Sequence, residues 1–432
     1  MGRKKAEGGK GMKLRRILLV IGLLLCTVLN VNPFFRQLIN LPEYSVKNQL
    51  SFLKPSGVLT QIISVDLRPK TELAISQAAN TPDYSSKDFQ VSYKLFGLFP
   101  FKSSQIEVMP SMKLLPGGQS IGVTLQAKGV MIVGQAPVLK KDGTKIFPAK
   151  EVGIETGDTI ISINDQEVHS DQDVADIINE AGKSQMSVTL RIKHQNQIID
   201  KNVKTIYCEE SKRYRIGLFV RDEAAGVGTL TFIDPISKKY GALGHVINDA
   251  DTNQRIEVSN GRITSSTIYA VEKGSRGHPG EKLGTFVNGT QINGTIEKNS
   301  SVGIFGKLDG HIPTAFFKEP IYVGWESEIR EGPAKIYTVI HGEQIQEFDV
   351  KIERIMHNRT DSKNMVISVT DPKLIEITGG IIQGMSGSPI VQNGKIIGAI
   401  THVFINDSRR GYGVFIQNML KESGILDKKE AA

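Results

Sequence analysis

The chain has 432 residues, of which 39% are apolar and 23% charged, with 43 glycines and one tryptophan. That length holds two or three domains with cores of their own, and abundant glycine among Val, Ile and Thr leans toward β-rich domains with tight turns. The formal net charge is +8, but residues 1–16 carry seven basic side chains and one acid, so +6 sits there and only +2 is left for the other 416 residues. A body that close to neutral lacks the cationic surplus that tracks phosphates, which excludes nucleic acid as a partner.

The basic end runs directly into Ile17–Val31 (ILLVIGLLLCTVLNV). Positive charge followed by an apolar run is the layout of an export signal or signal-anchor whose charged end stays in the cytoplasm. The run is short for a full span, yet no small-x-small cleavage pair follows, and Leu25 before Cys26 does not fit a lipoprotein box. Residues 1–32 are therefore expected to be a cytoplasmic basic end and membrane signal-anchor, uncleaved or slowly removed, with the body extracytoplasmic. Cys208 is the only other cysteine, so that body has no internal disulfide. Residues 33–104 read as a stalk with a small β element, with strands near Leu59–Asp66 and Phe89–Leu98 and a polar loop at Ala79–Lys87.

Residues 105–205 form a more legible unit. Pro116–Gly117–Gly118 leads into the apolar Ser120–Leu125, and Ala149–Asn164 places a glycine turn before an alternating strand. Asp171–Ala181 has Val174, Ile177, Ile178 and Ala181 on one helical face, with Ser170 or Asp171 able to cap its start and Gly182 its end. Met186–Lys193 alternates as a strand. Gly153-Ile154, Gly157-Asp158, Ile160, Ile163-Asn164, Val168 and Val188-Leu190-Ile192 together resemble a PDZ domain of the circularly permuted bacterial kind. In such a domain a peptide adds a strand beside a carboxylate-binding loop. By that resemblance Ser120, Ile121, Gly122 and Val123 match the loop, and Val174 and Ile178 line the groove.

Residues 206–426 are strand-rich, with short apolar segments at 216–220, 229–233, 301–305, 334–340, 346–355, 365–369 and 389–404, and no long amphipathic helix before Ile416–Ser423. Such a pattern suggests a sandwich or paired barrels. Gly384–Met–Ser–Gly–Ser–Pro389 is the sharpest local signal. A serine nucleophile needs a tight turn that presents its hydroxyl and aims backbone N–H groups at a developing oxyanion, and small residues on both sides of Ser386 permit that approach. Two apolar strands joined by Asn393-Gly394 follow, a strong hairpin signal. The base must be a histidine, and His245 follows the strand-like Gly228–Ile233 with 141 residues before Ser386, room for the strands of two barrels. His402, after the hairpin, reads as a packed strand histidine, with a position facing the substrate cleft as the alternative. No metal-binding motif is present, His-Glu-x-x-His included, and no metal or organic cofactor is indicated.

Gly241–Ala–Leu–Gly–His245, Thr378–Pro389 and the PDZ-then-peptidase order together resemble the stage IV sporulation protein B serine peptidases. The resemblance implies a mainly β chain: a membrane anchor, a PDZ domain, then a trypsin-like double β-barrel. It implies Ser386 as nucleophile, His245 as general base, Asp371 as the orienting acid, and an oxyanion hole from the N–H groups of Gly384 and Ser386. Trypsin-like folds usually take the acid from the first barrel, and Asp371 is only 15 residues before Ser386, so Asp249 stays open as its rival. Met385 stands where trypsin-like enzymes keep an aspartate for zymogen activation, so that switch is expected to be absent. The family further implies self-cleavage near the N-terminal region and cutting of a membrane-bound regulator of an intramembrane protease, which releases a sigma factor, in the space between forespore and mother-cell membranes. A PDZ adaptor with a peptidase-like domain but no turnover is the alternative.

Overall fold

The computed structural model describes residues 19–20, 44–47, 63–69 and 87–426, apart from 185–186, 196, 288–291, 313–315, 358 and 360. The expected signal-anchor lies almost wholly outside the described residues, and among these no helix is long and apolar enough to cross a membrane. The chain divides into two compact units, 1–110 with 428–432, and 111–427.

The first unit carries a four-stranded sheet. Its strands are β1 (Tyr44–Lys47), β2 (Ile63–Pro69), β3 (Lys87–Leu95) and β4 (Phe99–Val108). They lie in the order β1-β4-β3-β2, with β1 parallel to β4 and the other pairs antiparallel. Val91 and Tyr93 alternate inward on β3 and are buried with Ile106 of β4, as a sheet with one covered face requires.

The second unit opens with β5 (Lys113–Pro116) and the 16-residue β6 (Ser120–Gln135). Ile121, Val123 and Leu125 of β6 point into one core, whereas Val130 and Ile132 point into another. The inward phase shifts from odd to even across Gly129, whose φ is +88°; a Cβ there would meet the Ile160 carbonyl oxygen at 2.6 Å. One residue of slippage moves every later side chain to the other face, and it lets a single strand serve two domains.

After β6 come a small hairpin of β7 (Val138–Leu139) and β8 (Lys145–Ile146), the short α1 (Pro148–Glu151), β9 (Thr159–Ile163) and β10 (Gln166–Glu167). Helix α2 (Asp171–Ser184), β11 (Ser187–His194) and β12 (Gln197–Lys204) follow. The hairpin of β13 (Ile206–Cys208) and β14 (Arg213–Arg215) then leads into β15 (Leu218–Ile233). Strands β12-β11-β9-β6-β15 form the sheet of this PDZ-like unit. Ser170 caps α2 by accepting from Asp173 N while Asp173 accepts from Ser170 N, a reciprocal capping arrangement. Gly182 does not end the helix. It makes room for Tyr214, whose ring a Cβ would strike at 2.3 Å.

The structure corrects the boundary expected near residue 105. Ser120–Val123 pair with Thr229–Gly226 of β15 and, from Ile121 to Val123, with Ser265–Ile263 of β17 (Val258–Glu272). They are strand residues of the first barrel and do not form a carboxylate-binding loop. The PDZ-like unit is an insertion into that barrel, entered along β6 and left along β15. A local Ile-Gly pattern did not betray this, because the deciding partners lie more than 100 residues away.

The first barrel continues through β16 (Lys239–Ala242), β17, β18 (Glu281–Val287), β19 (Asn293–Ser300) and β20 (Gly303–Leu308). Its pairings run β6-β17-β19-β20-β16-β15 and return to β6. A short β21 (Ile321–Tyr322) pairs with β5. The second barrel uses β22 (Gly332–Val339), β23 (Ile345–Ile355), β24 (Met365–Val369), β25 (Pro389–Gln392), β26 (Lys395–Phe404) and β27 (Asp407–Phe415). It closes in the order β22-β23-β24-β27-β26-β25. Helix α3 (Pro372–Thr378) precedes the serine turn and α4 (Ile416–Glu422) ends the described chain. The expected Asn393-Gly394 turn joins β25 to β26 with φ values of 50° and 73°, the left-handed pair a two-residue hairpin requires.

Candidate active site

After β16 the chain turns through Leu243 and Gly244, both at positive φ (67° and 72°), and delivers His245. Buried Asn299 pins the loop beyond it, accepting from Ile247 N at 2.9 Å and donating to the carbonyls of Ile247 and Ile256 at 2.8 and 3.0 Å. His245 Nδ1 lies 2.7 Å from the Val246 carbonyl oxygen. A carbonyl only accepts, so Nδ1 carries the proton and Nε2 is left as the acceptor. Burial pushes the imidazole pKa down, a trend the Val246 hydrogen bond opposes without reversing it. His245 is therefore a neutral base near pH 7. Because the base works deprotonated, the acid limb of the rate should lie below the ordinary imidazole range. Measuring fluorophosphonate inactivation against pH checks this, and a limb at or above that range contradicts it.

The serine turn is shaped by glycines that have no substitute. Gly387 sits at φ +95°, and a Cβ there would strike the Thr229 carbonyl oxygen at 2.0 Å and Leu243 N at 2.5 Å. First-barrel strand β15 grips the turn directly. Thr229 N donates to the Ser386 carbonyl at 3.0 Å, Thr229 Oγ1 to the Gly384 carbonyl at 2.7 Å, and Thr231 Oγ1 to the Gly387 carbonyl at 2.8 Å. Met385 N is used by the Ile382 carbonyl and Gly387 N by that of Ile400. The N–H groups of Gly384 and Ser386 donate to no group among the described residues. Lys282 N donates to the Gln383 carbonyl at 3.0 Å, so in this trans peptide the Gly384 N–H points the opposite way. Ser386 Oγ itself donates to the Thr401 carbonyl at 2.6 Å. The Met385 side chain is buried in the second-barrel core.

A cleft of about 880 Å³ brings Ser386, His245, Gly384 and Asp249 together, walled by Ala224–Val227 of β15 on one side and Ile381–Gln383 on another. His402 lines it too, with its ring centroid 5.0 Å from that of His245. It faces the site instead of packing away in a strand. Burial, then the neighbouring His245, pushes its pKa down to about 4, so His402 is uncharged at neutral pH. Asp249 is buried and held by Arg221 at 2.8 Å, by Thr252 and by Asp251 N. Burial opposes its ionisation, but the Thr252 and Arg221 hydrogen bonds outweigh that and keep the carboxyl below its usual range. Asp371 is elsewhere. It caps α3 by accepting from Leu374 N at 3.0 Å and accepts from Asp349 N at 3.3 Å, and it does not line the cleft. Neither acid is hydrogen-bonded to His245.

Residues 212–420 match the family model described as SpoIVB peptidase S55, and residues 147–192 match a PDZ domain model. Over residues 212–420 the chain is therefore similar to the SpoIVB S55 peptidases. The chain is thus a SpoIVB-like serine endopeptidase with a PDZ domain, and its first-barrel strands β5 and β6 precede the matched peptidase segment. No curated protein matches it. Among solved structures, similarity extends to the active form of the Rv3671c protease from M. tuberculosis, at 13% identity over 48% of this chain and 78% of that one, with a TM-score of 0.26. It extends to protease Anisep from Arthrobacter nicotinovorans, at 13% identity over 47% and 90%, TM-score 0.30. The PDZ domain of an SdrC-like protein from Listeria monocytogenes is 22% identical over 22% and 87%, TM-score 0.17.

In this SpoIVB-like chain the sequence reading missed Thr229, Lys282 and Asn299, which carry no motif; only the paired threonines at 229 and 231, polar within an apolar strand, were a signal. In the PDZ domain, Val174 and Ile178 are core residues, whereas Ile177, Ala181, Leu218 and Val220 of α2 and β15 are only partly buried. Ile178→Asp should therefore destabilise the domain by roughly 3–5 kcal/mol by burying an unpaired charge. Ile177→Asp should leave thermal unfolding nearly unchanged. Scanning calorimetry of the two variants distinguishes core from groove.

Proposed function

We propose that Ser386 and His245 cleave peptide bonds, with Gly384 N–H and Ser386 N–H as the oxyanion hole. One observation carries this: the hydroxyl, the imidazole and two unused N–H groups meet in one cleft where the two barrels join. Ser386 Oγ leaves the Thr401 carbonyl, passes its proton to His245 Nε2 and attacks the scissile carbon. The oxyanion collects on the two N–H groups, and His245 then protonates the leaving amine. Asp249 is preferred to Asp371 as the supporting acid because it shares the cleft.

In this reading the PDZ groove lies between α2 and the start of β15, where Gly217 takes φ +84°, and receives a peptide terminus or an internal segment. Strand β15 continues from that groove along the cleft wall to Thr229, so the groove and the serine turn share one strand. By family resemblance the substrate is a membrane-bound regulator of an intramembrane protease, cut during sporulation between the forespore and mother-cell membranes, after self-cleavage near the N-terminal region of a chain tethered there. N-terminal sequencing of fragments tests this reading. Wild type should release fragments cut between residues 33 and 110 that Ser386→Ala does not. The non-catalytic adaptor predicts the same fragments, or none, from both.

A further inference from the structure

We propose that Lys282 is a positioning residue for peptide cleavage, holding the Gln383–Gly384–Met385 segment so that Gly384 N–H stays aimed into the cleft. The inference rests on the serine-site reading above. Lys282 stands on β18 and is 4% exposed, with no carboxylate paired to it among the described residues. Its backbone N–H fixes the Gln383 carbonyl, and Gln383 N is in turn held by the Gly280 carbonyl at 2.7 Å. Its alkyl stem lies against Gly384 so closely that a Cβ there would meet Lys282 Cβ and Cδ at 3.1 Å. Its ammonium donates to Thr338 Oγ1 of the second barrel at 2.7 Å and reaches Thr229 Oγ1 of the first at 3.4 Å. Thr229 Oγ1 in turn donates a hydrogen bond to the Gly384 carbonyl at 2.7 Å. Both peptide planes flanking Gly384 are thus set by one side chain and its backbone.

A lysine in such a place is costly unless it serves the site, because burying a charge without a counter-ion is strongly unfavourable. Burial alone pulls its pKa down to about 7. A methionine would fill the same volume without that penalty. The ammonium also donates where a neutral stem cannot, and it orients the Thr229 hydroxyl so that its single proton goes to Gly384.

The test uses the full chain and the rate constants of fluorophosphonate inactivation. Lys282→Met, which keeps the stem and the backbone N–H, should lower the maximal inactivation rate about 10- to 100-fold while the inhibitor's half-saturating concentration moves less than twofold. Thr229→Val, isosteric but without the hydroxyl, should lose as much; Thr229→Ser, smaller but hydroxylated, should restore most of the rate. The Lys282→Met/Thr229→Val double variant should be no worse than either single one, since the two act in one chain of hydrogen bonds. A wild-type rate in Lys282→Met, losses that multiply, or Thr229→Ser as impaired as Thr229→Val would each overturn the inference. If Lys282→Met does not fold, the two Thr229 variants decide it. A wild-type chain left unlabelled at Ser386 removes the serine-site reading and this inference together, whereas a labelled wild type with an unimpaired Lys282→Met removes only this one.

Discussion

Ser386→Ala is expected to lower peptide hydrolysis by at least about 10⁴-fold and to abolish covalent labelling by a fluorophosphonate, with the fold unchanged. The turn around residue 386 is built from backbone contacts: Thr229 N to the Ser386 carbonyl, Gly387 N to the Ile400 carbonyl and Ser388 N to the Met385 carbonyl. Removing Oγ loses one hydrogen bond to the Thr401 carbonyl and leaves those untouched, so stability should shift by no more than about 1 kcal/mol. Losses of that size follow when a nucleophile is removed, because the remaining oxyanion donors and binding contacts supply only residual catalysis. Labelling that persists in the variant would place the nucleophile elsewhere.

The second large effect separates the two acids. Asp249→Asn should reduce the inactivation rate about 10- to 100-fold, because it removes the negative charge that shares a low-dielectric cleft with the imidazolium. It also strips Arg221 of a buried partner that now sits at 2.8 Å. Asp371→Asn should stay within about threefold of wild type in rate and, since Asn caps helices as well as Asp does, within about 0.5 kcal/mol in stability. Asp371→Ala should cost about 1 kcal/mol through loss of the α3 cap alone. A large rate loss in Asp371→Asn, with Asp249→Asn spared, would return the triad to the acid that the family resemblance favours.

Local chemistry makes part of this legible in the sequence alone. Gly384 and Gly387 announce a tight serine turn because residues with a Cβ rarely take φ values such as their +87° and +95°, and Asn393-Gly394 announces a hairpin because Asn and Gly are the residues that best tolerate the left-handed region. His245 was reachable because a strand, a glycine and a histidine precede the serine by the length of two barrels. What stayed hidden depends on distant pairing. Segments 216–220 and 229–233 read as two strands because Arg221–Gly228 between them is polar or small except for Val227, yet pairing with β6 makes them one. The insertion of the PDZ domain was invisible because Ile121–Val123 meet Ser265–Ile263 across some 140 residues. Asp371 was misleading in isolation: an Asp-Pro pair before a helix is a cap and first turn, and only the structure distinguishes that from an acid at the cleft. Thr229 and Lys282 owe their interest to neighbours from the opposite barrel.

One strand, β15, joins these regions. It packs on the PDZ-domain core at Leu218, walls the cleft at Ala224–Val227 and grips the serine turn at Thr229 and Thr231.

A crystal structure of the full chain after reaction with a fluorophosphonate puts the central claim to the most direct trial. The phosphorus should be bonded to Ser386 Oγ, with one of its oxygens about 2.7–3.1 Å from both the Gly384 and Ser386 nitrogens and His245 Nε2 turned to within hydrogen-bonding reach. An adduct on any other side chain, or one whose oxygen faces solvent while His245 remains out of reach, would contradict it.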